Sequence, residues 1–157
     1  MKNLSSGILI LFFVFISFAA NADETSDKMI TYAAKGDLNK VAKYIKKGVD
    51  VNAKNRARWT ALAYASKYGH GSIVKFLVEH GADINMTVNV GSTPLQVALH
   101  SNNFDIAKYL IKKGADVNIP DITGMTALAW AAKHGDLKQV KFLVENGLNQ
   151  KDRKKCF

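Results

Sequence analysis

Four histidines and a recurring array of carboxylates and amides are the side chains that could do chemistry in this chain. The histidines are His70, His80, His100 and His134; the array is Asp50, Asp83 and Asp116 with Asn52, Asn85 and Asn118. A metal site needs such groups to converge, commonly from helical spacings like those of H-E-x-x-H. No two of the histidines have that spacing. G-x-S-x-G, Cys-x-x-Cys and the lysine-bearing phosphate loop are also absent, so nucleophilic, thiol and phosphate chemistry lack their usual sequence markers. The expectation is no catalytic residue, no cofactor and no metal. His70 follows a glycine and suits local packing, while His80 suits a helix C-terminus, where positive charge is favourable. The Asp and Asn array repeats at one place in each unit, which suits the capture of backbone donors in a turn. Asn85-Met86-Thr87 matches a glycosylation acceptor, although Asn85 has that turn role.

The elements that carry these residues recur every 33 residues. "RWTALAYASK", "GSTPLQVALH" and "GMTALAWAAK" place Thr60, Thr93 and Thr126 at one phase. Gly36, Gly69, Asn102 and Gly135 hold a second phase, and Gly48, Gly81, Gly114 and Gly147 a third. Each threonine can cap a helix with its hydroxyl, and Pro94 fits the first helical position, where its missing donor costs nothing. The short helix that follows carries Leu62, Tyr64 and Ala65, or Leu128, Trp130 and Ala131, and breaks at the second-phase residue. A second helix shows apolar residues at helical spacing, Ile73, Val74, Leu77 and Val78 or Val140, Leu143 and Val144. The third-phase glycine, Gly147 included, is expected to end it in a left-handed cap. Helices this short are not stable alone. Stacking covers the apolar side of each unit with the next, with Ala131 and Ala132 allowing close approach and Tyr64, Val97 and Trp130 filling the space between.

The wording "GSTPLQVAL", "YGHGSIVKFLVEHGADIN" and "GMTALAWAAKHGDLKQVKFLVENG" resembles the ankyrin repeat over about 120 residues. The resemblance implies an all-α solenoid of stacked helix-turn-helix units joined by short hairpin-like turns. Four units are expected at 27–52, 53–85, 86–118 and 119–149, within a domain spanning 23–150. Three departures stand out. The first unit lacks the Thr-Pro-Leu start, as terminal repeats often do. Arg58 occupies the phase of Gly91 and Gly124, which puts strain or a different shape into that turn. Gly71 stands where the other units have Leu38, Phe104 and Leu137, removing core volume from the second unit.

The ends have a different character. Residues 1–22 read as a secretory signal peptide: Lys2, an apolar run from Ile8 to Phe18, then Ala20-Asn21-Ala22. An uncleaved anchor is the rival reading, but the strongly apolar centre is about half the length of a spanning helix. The leader holds Lys2 and no acid, so the formal charge of +9 becomes +8 after cleavage. Such a surplus suits acidic partners or anionic surfaces and says nothing of the fold. Cys156 is the only cysteine, so there is no internal disulfide framework; it is an unpaired thiol or an intermolecular bridge. Residues 151–157 form a basic tail.

These readings point to a non-catalytic protein-interaction module, periplasmic or secreted, with no nucleic acid as partner. The resemblance implies that recognition lies on the concave side, built from turn tips and the exposed ends of first helices. Carried onto this chain, the tips supply Arg56, Ala57 and Trp59, then Asn89, Val90 and Ser92, then Ile122, Thr123 and Met125. The helix ends supply Lys67 and Tyr68, His100 and Ser101, and Lys133 and His134. Trp59 is expected to be the costliest of these to lose, with its removal leaving stability unchanged. The alternative is an anionic-surface binder that uses Lys151, Arg153, Lys154 and Lys155 as a tether. The exported protein is expected to begin at Asp23 when its mass is measured; a membrane-bound product retaining Lys2 would overturn cleavage.

Overall fold

A computed structural model describes the backbone of residues 24–153 and the side chains of residues 24–146. The leader, its cleavage site, Cys156 and the end of the basic tail lie outside the described residues. Within them are eight helices and no strand. Helix α1 covers 24–35, followed by α2 (Leu38–Lys46), α3 (Ala61–Lys67), α4 (Gly71–Glu79), α5 (Pro94–His100), α6 (Phe104–Lys112), α7 (Ala127–Lys133) and α8 (Leu137–Arg153). The odd-numbered helices are the first helices of the four units, and the even-numbered ones pack along the stack in sequence order.

The helix starts form as their sequence dictates. Thr60, Thr93 and Thr126 each accept a backbone N–H three residues on, from Ala63, Gln96 and Ala129. Gln96 closes a reciprocal box at Thr93, its Oε1 accepting the Thr93 N–H at 2.8 Å. Pro94 is the first residue of α5. All four second-phase residues have positive φ, Asn102 (58°) included, as an asparagine tolerates better than most.

The core runs through the stack without a break. Leu62, Leu95, Ile73, Leu77 and Leu110 are fully buried, each contributing on the order of 2 kcal/mol by transfer from water. Hydrogen bonds tie the units edge to edge. Asn52 Oδ1 accepts the Asp83 N–H (2.7 Å), and Asn85 Oδ1 accepts that of Asp116 (2.9 Å). The aspartates stay within their own turns, where Asp50, Asp83 and Asp116 accept the N–H two residues on. The asparagines therefore reach further than their turn chemistry implies. His70 also bridges units: its Nε2 donates to the Ala34 carbonyl at 3.0 Å. Asn103, at the same phase one unit later, donates to the carbonyls of Ser66 and Lys67.

The fourth unit departs from expectation. Gly147 does not end its second helix, because α8 continues to Arg153. The chain after Gly147 reads Leu-Asn-Gln rather than Ala-Asp-Val-Asn. Asn118, whose partner at the same step would be residue 149, instead donates from Nδ2 to Asp116 Oδ1. The outgoing face of this unit is open. Leu128 is 42% exposed where Leu62 and Leu95 are 1% and 0%. Ala132 and Val144, both expected inside, are exposed as well, as is Leu137.

The turn at Arg58 keeps the common shape. Its φ is 60°, against 72° at Gly91 and 78° at Gly124. The strain therefore falls on a side-chain-bearing residue, at a cost of roughly 1 kcal/mol. At Gly91 glycine is required twice over, since a Cβ there would lie 2.7 Å from the Ile122 nitrogen. Arg58→Gly is expected to raise the unfolding free energy by about 0.5–1 kcal/mol, the relieved strain exceeding glycine's added entropy cost. Urea denaturation checks it, and a lower midpoint would show that the arginine side chain holds the turn.

Candidate recognition surface

The turn tips are held by side chains that read the backbone. Asn55 Oδ1 accepts the Trp59 N–H at 2.9 Å. At the same phase two units later, Asp121 Oδ1 accepts the Thr123 hydroxyl at 2.6 Å and the backbone N–H groups of Thr123 and Met125. The Thr123 hydroxyl bond is the main cause that lowers the Asp121 pKa below the usual carboxylate value, and the two backbone bonds and His100 add to it. Adjacent tips are joined where the Ile122 N–H donates to the Val90 carbonyl at 3.3 Å. These tips are ordered platforms for the residues they present.

Two aromatic clusters lie along the face made by tips and first helices. In the first, Trp59 packs on Tyr64 with ring centroids 4.8 Å apart, and Tyr64 stacks on Tyr68 at 6.2 Å with planes 3° apart. Lys67 Nζ sits 5.3 Å from the Trp59 ring centre and 5.5 Å from that of Tyr68. Both are within the range of cation–π attraction. In the second, Trp130 lies between His100 and His134, each centroid 4.1 Å away. His134 Nδ1 also donates to the Trp130 carbonyl at 2.9 Å. Desolvation of the His100 ring holds its pKa below the ordinary histidine value; His134 adds to this and Asp121 opposes it.

The expected residues fall into three groups. Arg56, Lys67, Tyr68, Asn89, His100, Ile122, Lys133 and His134 are exposed. Trp59 and Met125 are half-buried, and Met125 lends its carbonyl to Gln96 Nε2 at 3.3 Å. Ser92 is buried at 5% exposure, so the structure corrects its place on the surface. It is enclosed because its carbonyl accepts the Val88 N–H and closes the turn. Trp59 is likewise no free-standing anchor. Its indole N–H donates to Asn89 Oδ1 at 3.2 Å, bridging the second and third units, and its ring covers Tyr64. Tyr64 and Trp130 are the members that sequence reasoning placed inside. Their phase on the first helix, with His134 four residues beyond Trp130, was the available signal.

Comparison with known proteins agrees with this architecture. The ankyrin repeats family matches in three copies, over residues 8–88, 29–121 and 86–155. The chain belongs to the ankyrin repeat family. Ankyrin repeat domain-containing protein 40 of Mus musculus and that of Homo sapiens are each 39% identical over 57 residues, 36% of this chain and 16% of theirs. Eye-specific diacylglycerol kinase of Drosophila melanogaster is 36% identical over 56 residues, 36% of this chain and 4% of the kinase. The matches thus span under one fifth of the length of these relatives. Ankyrin repeats are generally protein–protein interaction modules, and the family is typically non-catalytic. Among the described residues, no three His, Cys, Asp or Glu side chains are grouped to hold a metal ion, and no helix is long and apolar enough to cross a membrane.

The half-buried stack of Trp59 changes what its removal does. Trp59→Ala forfeits an aromatic contact and an inter-unit hydrogen bond, each worth about 1 kcal/mol. The variant is expected to lose about 1–2 kcal/mol of stability, while Trp59→Phe loses less because the ring contact persists. Chemical denaturation of the two checks this, and an unchanged midpoint in the alanine variant would show that the ring is not packed.

Proposed function

We propose that this chain is an exported, non-catalytic ankyrin-repeat module that binds a protein through its turn tips and first helices. The observation that carries the reading is the exposure of large apolar side chains at positions the fold does not need. Tyr68 is 52% exposed, Val90 45% and Ile122 72%, all on this face. Water contact at such groups is unfavourable, and a partner surface would remove it. Lys67 beside Tyr68, with Arg56 and Lys133 also exposed, suits a partner with acidic groups around an apolar centre. The apolar leader and its Ala-Asn-Ala triplet support export.

Hot spots favour Trp, Tyr and Arg, and truncating one costs about 2 kcal/mol, roughly thirtyfold in affinity. Ile122→Ser removes an exposed group and is expected to leave stability within about 0.5 kcal/mol of the parent, while Tyr68→Ala forfeits the stack on Tyr64 at a cost of about 1 kcal/mol. Protein partners retained by the parent from the envelope fraction are expected to be lost by the double variant. A tail variant with Lys151, Arg153, Lys154 and Lys155 changed to Gln is expected to retain them. The reverse pattern, with binding that collapses as salt is raised, would move the function to the tail as an anionic-surface tether.

A further inference from the structure

The absent side chain at Gly71 leaves a groove on the second-helix side of the stack, away from the tips. It lies between α4 and α6 and has a volume of about 340 Å³, within the size range of small-ligand sites. Val74 and Ile106, both buried, form part of its lining. The pairing of Phe104 with Phe142 one unit later shows what is missing. Those rings meet edge to face at 5.5 Å. Moved back by one 33-residue unit, that pair falls on position 71 and Tyr109. A Cβ at Gly71 would meet only Ile106 Cγ1, at 4.0 Å, so Tyr109 has no ring opposite it.

Tyr109 lines the groove, and its hydroxyl is buried with no hydrogen-bond partner among the described residues. A buried hydroxyl without a partner costs about as much as a lost hydrogen bond, so a ligand oxygen that reached it would recover that loss. Burial, with Glu79 nearby, raises the Tyr109 pKa and keeps the phenol a donor. Lys75, Lys108 and Lys112 also line the groove, against Asp105 in the lining and Glu79 near Tyr109. None of the three lysines forms an ion pair among the described residues. The groove therefore combines an apolar floor, an unsatisfied hydroxyl and an excess of positive charge.

We propose that this groove binds a small amphipathic carboxylate. Its apolar body fills the space left at Gly71 between Val74 and Ile106. Its carboxylate lies among the lysines. The site is independent of the tip surface, and substitutions at Tyr68 or Ile122 leave it intact.

Octanoate titrated into the ¹⁵N-labelled full chain tests the proposal, with octanol and octyltrimethylammonium as matched neutral and cationic probes. Saturable shifts are expected at the amides of Gly71, Ile106 and Tyr109, with octanoate at least tenfold tighter than either control. Gly71→Leu is expected to fill the groove, weakening octanoate at least tenfold while the denaturation midpoint holds or rises. If that variant does not fold, Lys75→Gln with Lys108→Gln, both exposed in the parent, is expected to weaken octanoate and leave octanol unchanged. The proposal is overturned if the groove amides do not shift, if a folded Gly71→Leu binds as before, or if the cation binds equally well. Shifts centred instead on Leu128, Leu137 and Val144 would place the binding at the open end of the stack and overturn it too.

Discussion

The contact between successive units is the interaction on which the rest of this structure depends. In the second and third units, first helices of seven residues and second helices of nine are too short to persist alone in water. Burial of Leu62 and Leu95 within the stack supplies what local propensity cannot. The hydrogen bonds follow the same logic. Asn52, His70, Asn85 and Asn103 each bond to a neighbouring unit, so their energy is gained only when both units are in place. Such a chain is stable as a stack, through nearest-neighbour terms, rather than as a set of separate parts.

The departures from the repeat show how local chemistry and stacking compete. At Arg58 the stack wins: a left-handed turn is kept although arginine pays a steric cost there. At Gly71 the helix forms without the side chain that would pack across to Tyr109, and the space stays open. At Gly147 the helix runs on to Arg153, without the Ala-Asp wording that follows the earlier third-phase glycines Gly81 and Gly114. Leu128 is open where its counterparts Leu62 and Leu95 are buried.

The tip-and-first-helix face combines two kinds of residue. Trp59 and Trp130 are half-buried and serve the stack and the surface together, one joined to Asn89 and the other held between two histidines. Tyr68 and Ile122 contribute little to the stack and remain open to solvent.

Much of this was legible in the sequence because the repeat is local and periodic. Thr60, Thr93 and Thr126 cap their helices through bonds only three residues long, and the glycines at fixed phase mark left-handed turns whose geometry depends on neighbouring atoms alone. Four units, their order and the all-α architecture follow from that periodicity. The structure alone decided matters that depend on what lies across a unit boundary. Ser92 shares a tip with Asn89 yet is buried. Tyr64 and Trp130 have core phases yet form the base of a surface, and the side chains of Asn52 and Asn85 bond to the next unit while the aspartates hold the turns themselves. The asparagine bonds and the His100–Trp130 contact reach about 30 residues along the chain and are set by packing rather than by sequence spacing, whereas Ser92 is enclosed by a turn bond to Val88.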